Sequence, residues 1–166
     1  DFVIVNTTPS REKRNGDIIN IVNGVYGGQQ WIYNENEALW KYYIDFDNLV
    51  CQLERAQMLG CEYFTVDAGW FGKTQLWWEV VGDWQESKES AMQGRLLEFA
   101  NRVREKGLKF GLWFEIERAN LKCENVKKHP EYYITEGEHC FVDFASRDAC
   151  DFIYGVLKEN IDKYGV

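Results

Sequence analysis

Two carboxylates of this 166-residue chain each close a short apolar segment. Residues 62–67 read EYFTVD and residues 109–115 read KFGLWFE, so Asp67 ends the first segment and Glu115 ends the second. Short segments rich in aromatic and β-branched residues predict buried strands. In sheets of parallel strands, the groups that handle a ligand lie at the carboxyl ends of the strands. We therefore expect Asp67 and Glu115 to share one site.

Tryptophans and further acids lie near these two positions in the sequence. An indole face covers the C–H side of a pyranose ring, and an ionised carboxylate accepts hydrogen bonds from two neighbouring hydroxyls. Pairs of carboxyl groups also perform the chemical steps of glycosidases. This combination favours a carbohydrate ligand. The candidates are the acids Asp67, Asp83, Glu115, Glu117 and Asp143 and the rings Trp70, Phe71, Trp77, Trp78, Trp84 and Trp113.

Each of these residues also has a purely structural interpretation. Core packing is the first expectation for any single ring, because aromatic side chains bury a large apolar area. An aspartate at a strand end also caps the helix or loop that follows, and the pattern supports capping and function equally for Asp67, Glu115 and Glu117. Asp143 precedes a predicted helix, so we expect it to act as a cap.

The two histidines do not predict a metal site. His129 precedes Pro130 and indicates a helix end, and His139 lies in a polar turn. The sequence has no pair of histidines four residues apart and no Cys-x-x-Cys spacing, which are common patterns of zinc ligands. We expect neither a metal nor an organic cofactor.

Composition limits the partners and the compartment. A formal net charge of -8 argues against nucleic acid, and no apolar segment has the length of about 20 residues that crosses a membrane. Five cysteines cannot all pair. Cys51 and Cys61 fall on apolar positions of a predicted helix and strand, so we expect buried reduced thiols, which favours the cytoplasm. The chain begins at Asp1 with no signal peptide, and we expect both ends to be cuts.

Three amphipathic helices and the strands after them must position the acids. Residues 1–28 are a predicted lead-in segment, and residues 30–34 are a candidate first strand. Each helix ends at a glycine, and a strand segment begins there. The predicted helical stripes are Phe46, Leu49, Val50, Leu53 and Ala56 before Gly60; Leu96, Phe99, Ala100 and Val103 before Gly107; and, from about Asp148, Ala149, Phe152, Ile153, Val156, Leu157, Ile161 and Tyr164 before Gly165.

This alternation predicts an α/β fold with parallel strands, because each helix can serve as the crossover that parallel strands need. A doubly wound sheet and a (β/α)8 barrel both fit. No Gly-x-Gly-x-x-Gly turn or phosphate-binding loop follows a strand, which favours the barrel. We expect residues 29–166 to form a partial (β/α)8 barrel, about the first three βα units, ending before the fourth strand.

Several motifs carry a family resemblance. Residues 62–71 (EYFTVDAGWF), 82–84 (GDW) and 109–117 (KFGLWFEIE) resemble, in order and separation, the catalytic domain of glycoside hydrolase family 36, the microbial α-galactosidases. Asn120, His129 with Pro130, and Asp143 continue the likeness. The resemblance covers about residues 33–166.

The resemblance implies a retaining hydrolase that removes terminal α-linked galactose from oligosaccharides. It implies that Asp67 binds galactose hydroxyls and that Trp84 lines the galactose pocket. With them we predict that Trp70, Trp113, Glu115 and Glu117 bind substrate. The family's nucleophile and acid/base are expected beyond Val166, so no catalytic carboxylate is expected within this chain, and we expect the chain alone to be inactive.

Four positions depart from the family pattern. Ala68 stands where the family has a second aspartate, and Gly137 stands where an arginine approaches the sugar. Asn36 replaces an aromatic residue, and Ile116 replaces a proline. Each lost charged hydrogen bond to a ligand costs about 1.5–3 kcal/mol. A non-catalytic or degenerate carbohydrate-binding barrel is therefore the alternative function.

The expected partners are a galactose-containing oligosaccharide and the remainder of the parent barrel. An incomplete barrel exposes an apolar edge and face, so association of identical chains is a further expectation. A complete small α/β interaction protein is a third interpretation, and it predicts a closed monomer instead.

Overall fold

A computed structural model describes residues 29–34, 37–42, 46–73, 77–137 and 139–166, with the backbone alone for the first two ranges. The predicted lead-in segment 1–28 and the departure at Asn36 lie outside the described residues.

The described chain contains seven strands and four helices, which we number in chain order. The strands are β1 (Gln29–Asn34), β2 (Glu37–Tyr42), β3 (Tyr63–Val66), β4 (Lys109–Leu112), β5 (Arg118–Asn120), β6 (Tyr133–Glu136) and β7 (His139–Val142). The helices are α1 (Phe46–Met58), α2 (Leu96–Glu105), α3 (Glu124–Lys128) and α4 (Arg147–Tyr164), with 3-10 turns at Trp77–Glu79 and Pro130–Tyr132.

Strands β3 and β4 form a parallel pair, with Tyr63 opposite Lys109 and Val66 opposite Leu112. The pairing continues one residue further, because the Trp113 N–H donates to the Val66 carbonyl at 2.8 Å. Helix α1 leads into β3, and helix α2 leads into β4. The predicted α/β arrangement with parallel strands is therefore confirmed for these two units, whereas the barrel stays a prediction.

The candidate first strand pairs differently from the prediction. Strand β1 forms an antiparallel hairpin with β2, in which Gln29 lies opposite Tyr42 and Asn34 lies opposite Glu37. Only residues 35 and 36 separate the two strands, and a parallel pair needs a crossover of a dozen or more residues. The predicted strand at residues 30–34 therefore forms as part of β1. It pairs with β2 in a hairpin, however, and not with a parallel neighbour as expected for a barrel strand.

A small antiparallel sheet lies between β4 and α4 in the sequence, and the helical and strand patterns did not predict it. Its strand order is β5-β7-β6. Ala119 lies opposite Cys140 in one pair, and Tyr133 lies opposite Val142 in the other. Strands of three or four residues carry too little alternation to be recognised as strands in a sequence.

The main core forms where the helical stripes meet the parallel strands. Phe99 of α2 packs edge-on against Phe46 of α1 at 6.0 Å, Phe64 of β3 at 5.3 Å and Phe110 of β4 at 6.4 Å between ring centroids. Burial of one such side chain contributes about 1.5–3 kcal/mol. The predicted α2 stripe is buried throughout, which fixes the face that α2 turns to the sheet.

Helix α4 follows the predicted boundaries. Ser146 caps its start by accepting a hydrogen bond from the Ala149 N–H, and Gly165 ends it in the left-handed conformation with φ of 66°. The prediction that Asp143 caps this helix is wrong. Asp143 Oδ1 accepts a hydrogen bond from the Ala145 N–H, which lies in the turn before the helix. Within the predicted stripe, Ile161 is 46% exposed and does not belong to the buried face.

The burial predicted for the cysteines is right for Cys61 and wrong for Cys51. Cys61 is buried, whereas Cys51 is exposed. Cys51 follows Leu49 by two residues, which is a turn of about 200° around a helix. Leu49 and Leu53 face the core, so Cys51 faces the opposite side.

Among the described residues no helix combines the length and the apolar composition needed to cross a membrane.

Candidate functional site

Asp67 lies directly after β3, at the carboxyl end of the parallel pair. Its side chain is half-buried, and its Oδ1 accepts a hydrogen bond from the neighbouring Ala68 N–H at 2.7 Å. Burial raises the pKa of the Asp67 carboxyl above its ordinary value, and the hydrogen bond from Ala68 opposes this shift only in part. A partly desolvated carboxylate at a strand end is suited to binding hydroxyl groups.

Trp113 lies beside Asp67, because it directly follows β4 in the register that aligns Val66 with Leu112. Its half-buried ring stacks on Phe71 at 6.3 Å with an interplanar angle of 14°. The same ring meets Trp77 edge-on at 5.7 Å. The structure therefore brings Asp67 and Trp113 to one edge of the parallel pair.

Glu115 and Glu117 lie on the segment that connects β4 to β5. Glu115 is half-buried, and its Oε2 forms a 2.9 Å ion pair with Nη2 of Arg118. The Glu117 side chain is exposed, and its backbone carbonyl accepts from the Val142 N–H at 3.0 Å. Both glutamates thus lie near the carboxyl end of β4, and the negative charge of Glu115 is balanced by the guanidinium of Arg118.

Trp70 and Trp84 lie inside the core. Trp70 is fully buried and its indole Nε1–H donates to the Trp113 carbonyl at 2.9 Å. The ring of Trp84, also fully buried, packs 4.6 Å from Phe71 and 5.5 Å from Phe114. Neither ring presents a face to solvent in this arrangement. They form a layer under Trp113.

Asp83 serves as a cap for a helix that is distant in the sequence. Its two carboxylate oxygens accept hydrogen bonds from the Glu124 N–H at 2.9 Å and the Asn125 N–H at 3.0 Å, at the start of α3. Gly82 permits this close approach, since a Cβ at that position would lie 2.7 Å from the Ala119 Cβ. Asp83 therefore has the structural role that a strand-end or loop aspartate often has.

A polar cleft of about 150 Å³ lies on the Asp83 side of the molecule and does not include Asp67 or Glu115. Sequence reasoning missed its Glu86, because no pattern marks an acid inside a loop. Glu86 Oε1 accepts from the Leu96 N–H at 2.8 Å, and Tyr164 Oη donates to Oε2 at 3.4 Å. Burial raises the pKa of the Glu86 carboxyl. The lining residues are Gly72, Lys73, Asp83, Gln85, Glu86, Ser87, Glu124, Asn125 and Lys128. Since Asp83 and Glu86 both hold backbone amides, this cleft is organised by structural contacts.

His129 marks the end of α3, as predicted. Its ring stacks on Tyr132 at 5.0 Å with an interplanar angle of 7°, and it lies 5.3 Å from the ring of Phe152. For His139 only the backbone, in β7, is described. In the described ranges no group of three or more His, Cys, Asp or Glu side chains is placed to hold a metal ion.

Comparison with known proteins assigns the family. The Melibiase family model matches residues 26–166. This chain belongs to the Melibiase family. Its resemblance to family 36 α-galactosidases, read from the motifs, is thereby confirmed.

The Melibiase chain is similar to several curated α-galactosidases. It is 42% identical over 92 residues to alpha-galactosidase Mel36A of Lactobacillus acidophilus, covering 54% of this chain and 12% of that protein. It is 33% identical over 131 residues to the bifunctional alpha-galactosidase/sucrose kinase AgaSK of Mediterraneibacter gnavus, covering 73% of this chain and 14% of that protein. The chain thus spans a small part, 12% and 14%, of the length of these relatives.

Solved structures show the same likeness. An alpha-galactosidase from Lactobacillus brevis aligns with a TM-score of 0.67 and 28% identity over 75% of this chain and 18% of that chain. A substituted form of the GH36 alpha-galactosidase AgaA from Geobacillus stearothermophilus, in complex with raffinose, aligns with a TM-score of 0.63 and 28% identity over 71% of this chain and 18% of that one.

The departures at Ala68 and Gly137, where the family has charged residues, have different surroundings. Ala68 is buried beside Asp67. Gly137 is an exposed residue after β6 with φ of 61°, and a Cβ there would meet nothing within 4 Å. The positive φ explains the glycine, because other residues are strained in that conformation.

Proposed function

We propose that this Melibiase chain contributes to an α-galactosidase that removes terminal α-linked galactose from oligosaccharides with retention of configuration. The observation that carries the proposal is the half-buried Asp67 at the carboxyl end of β3, beside Trp113 after β4. The curated α-galactosidases and the raffinose complex of a related enzyme support the substrate class. Because the chain spans a small part of these relatives, we assign the reaction to the full-length protein.

We propose that Asp67 binds galactose hydroxyls as an ionised acceptor. A carboxylate that has already lost part of its hydration in the free protein gives up less hydration when a ligand binds. The hydrogen bonds that hydroxyls donate to an ionised carboxylate are charge-assisted and therefore strong. Trp113 would cover the adjacent C–H face of the sugar. Burial raises the pKa of Asp67, so acidification protonates this carboxyl at a higher pH than it does an ordinary aspartate. The affinity of Asp67 for sugar should therefore decline at that higher pH.

For the other predicted substrate-binding residues we propose graded roles. Glu115 and Glu117 lie on the segment after β4 and are within the same region as Trp113, so they are candidates for further hydroxyl contacts. Trp70 and Trp84 lie beneath Trp113, and direct contact with a sugar would require their layer to open. Their support of Trp113 is therefore the role that the packing favours.

We also propose that β3 and β4 are neighbouring strands of a (β/α)8 barrel whose remaining strands are supplied elsewhere. Their parallel register, with helix α2 between them, is the unit from which such a barrel is built.

Five cysteines, which cannot all pair, favour a cytoplasmic location.

The test uses the full-length protein and the variant Asp67→Asn. We expect galactose affinity, measured by calorimetry, to fall about 10- to 100-fold, the equivalent of one charged hydrogen bond of about 1.5–3 kcal/mol. Hydrolysis of an aryl α-galactoside should fall with it. Asp143→Asn is the matched control, because among the described contacts the Asp143 side chain accepts only from the Ala145 N–H, within its own turn.

The same experiment separates the alternative of a degenerate carbohydrate-binding domain. Galactose binding by the wild-type protein without any hydrolysis would favour that alternative, for which Ala68 and Gly137 are the motivating departures. Equal galactose affinity of the wild-type and Asp67→Asn proteins would contradict the role of Asp67.

A further inference from the structure

Trp78 belongs to a series of aromatic rings that starts at the carboxyl end of β4. The Trp77 ring meets Trp113 edge-on at 5.7 Å, and the Trp78 ring meets Trp77 edge-on at 6.1 Å with an interplanar angle of 82°. Trp78 is 38% exposed, whereas Trp70 and Trp84 are buried. Trp78 is therefore partly exposed to solvent and lies two ring contacts away from Trp113, the residue beside Asp67.

The backbone that carries Trp78 is held by β5. The Asn120 side-chain amide donates to the Trp78 carbonyl at 3.0 Å, and the Asn120 N–H donates to the Val81 carbonyl at 2.8 Å. Asn120 Oδ1 in turn accepts from the Lys122 N–H at 2.9 Å. These contacts fix the 3-10 turn Trp77–Glu79 against the sheet, so the indole is positioned before any ligand binds.

An ion pair is formed by the residue next to Trp78 in the chain. Glu79 follows Trp78 directly, and its Oε1 accepts from Nζ of Lys122 at 2.8 Å. An exposed ion pair of this kind contributes about 0–1 kcal/mol to stability. Its carboxylate and ammonium retain the capacity to accept from and donate to hydroxyl groups. An aromatic ring with such groups nearby suits a pyranose ring, which is apolar on its face and polar at its rim.

We propose that Trp78, together with the neighbouring ion pair of Glu79 and Lys122, binds the saccharide that leaves when the terminal galactose is removed. This inference rests on the proposed function, in which Asp67 and Trp113 hold the galactose at the strand ends. Trp77 separates Trp113 from Trp78, so the second sugar of an oligosaccharide would lie outward of the first. An oligosaccharide leaving group is thereby favoured over a small one.

The binding test uses the full-length protein and sucrose, which is the leaving group of raffinose and contains no galactose to cleave. Saturation-transfer NMR should detect sucrose on the wild-type protein. We expect Trp78→Ala to weaken sucrose binding about 3- to 10-fold, the equivalent of one aromatic contact of about 0.5–1.5 kcal/mol. Trp78→Phe, which keeps a ring, should retain most of the binding. Tyr154→Ala is the control, because Tyr154 is a 65% exposed ring on α4.

A kinetic test uses the same proteins. Trp78→Ala should lower kcat/KM for raffinose about 3- to 10-fold more than kcat/KM for methyl α-galactoside, whose leaving group is too small for a ring contact. Lys122→Ala should shift the same ratio in the same direction by a smaller factor.

The outcomes separate this inference from the proposed function. Absence of sucrose binding to the wild-type protein, or equal binding by the wild-type and Trp78→Ala proteins, overturns the role of Trp78 whatever the activity. A protein that binds sucrose through Trp78 but cleaves no α-galactoside would have a saccharide site at Trp78. That result would overturn both the proposed reaction and the role of Trp78 in binding a leaving group.

Discussion

Asp67 and Asp83 come from two regions that look alike in the sequence but differ in the structure. Each aspartate lies in a motif with glycine and tryptophan close by. Asp67 accepts a hydrogen bond from its own neighbour, Ala68, at the end of β3. Asp83 instead accepts from two amides of α3, 41 and 42 residues further along the chain. The first region leaves a half-buried carboxylate at a strand end, and the second uses its carboxylate to join two parts of the fold.

The comparison teaches that motif membership does not decide the role of an acid. Both aspartates belong to segments that resemble family 36 α-galactosidases, yet the contacts of Asp83 are those of a cap. The structural region should therefore respond to substitution through stability, and the strand-end region should respond through ligand affinity.

The largest effect should come from Gly82, which lets the Asp83 region approach the sheet. A Cβ at Gly82 would lie 2.7 Å from the Ala119 Cβ and 2.9 Å from the Cys123 Sγ, and the φ of 110° is unfavourable for alanine. We expect Gly82→Ala to lower the free energy of unfolding by about 2–4 kcal/mol, from strain in the backbone and overpacking. Urea unfolding followed by circular dichroism measures this change.

Gly155→Ala is the matched control for that measurement. Gly155 lies inside α4 and a Cβ there would meet nothing within 4 Å. Alanine should raise the free energy of unfolding by about 0.5–1 kcal/mol, because it is a better helix former than glycine. Similar changes for the two substitutions would contradict the close packing at Gly82.

Asp83→Ala should have the next largest effect. It removes two charged hydrogen bonds to the Glu124 and Asn125 amides and leaves the start of α3 uncapped. We expect the free energy of unfolding to fall by about 1.5–3 kcal/mol. Asp143→Ala, which removes one bond within a turn, should cost about 0.5–1 kcal/mol. A loss for Asp83→Ala no larger than that for Asp143→Ala would remove the distinction between the two regions.

The smallest effect is the pH dependence that Asp67 gives to stability. Burial raises the pKa of Asp67 from 3.8, so the native state binds this proton more tightly than the unfolded chain does. The resulting stabilisation is complete below 3.8 and is lost as the pH rises through the raised pKa. Asparagine does not titrate, so Asp67→Asn should gain stability relative to wild type between about pH 4 and pH 7. Thermal unfolding at both pH values tests this, and a pH-independent difference would argue against a desolvated carboxyl.

The aromatic region shows how far single residues could be interpreted from the sequence. Phe71, Trp77, Trp78 and Trp84 were all candidates for both packing and sugar contact. Burial separates them, since Trp84 is enclosed by Phe71 and Phe114 while Trp78 reaches solvent. The sequence had no means to rank them, because identical side chains acquire their roles from neighbours that are remote in the chain.

The sequence by itself determined the three long helices α1, α2 and α4, the strands at Tyr63–Val66 and Lys109–Leu112, and the family, because these depend on local periodicity, on glycine at helix ends and on ordered motifs. Only the tertiary structure decided that Asp83 caps a distant helix, that β5 pairs with β7, and that Trp84 is enclosed while Trp78 reaches solvent. Those features depend on contacts between residues far apart in the chain, and such contacts leave no periodic signal in a single sequence.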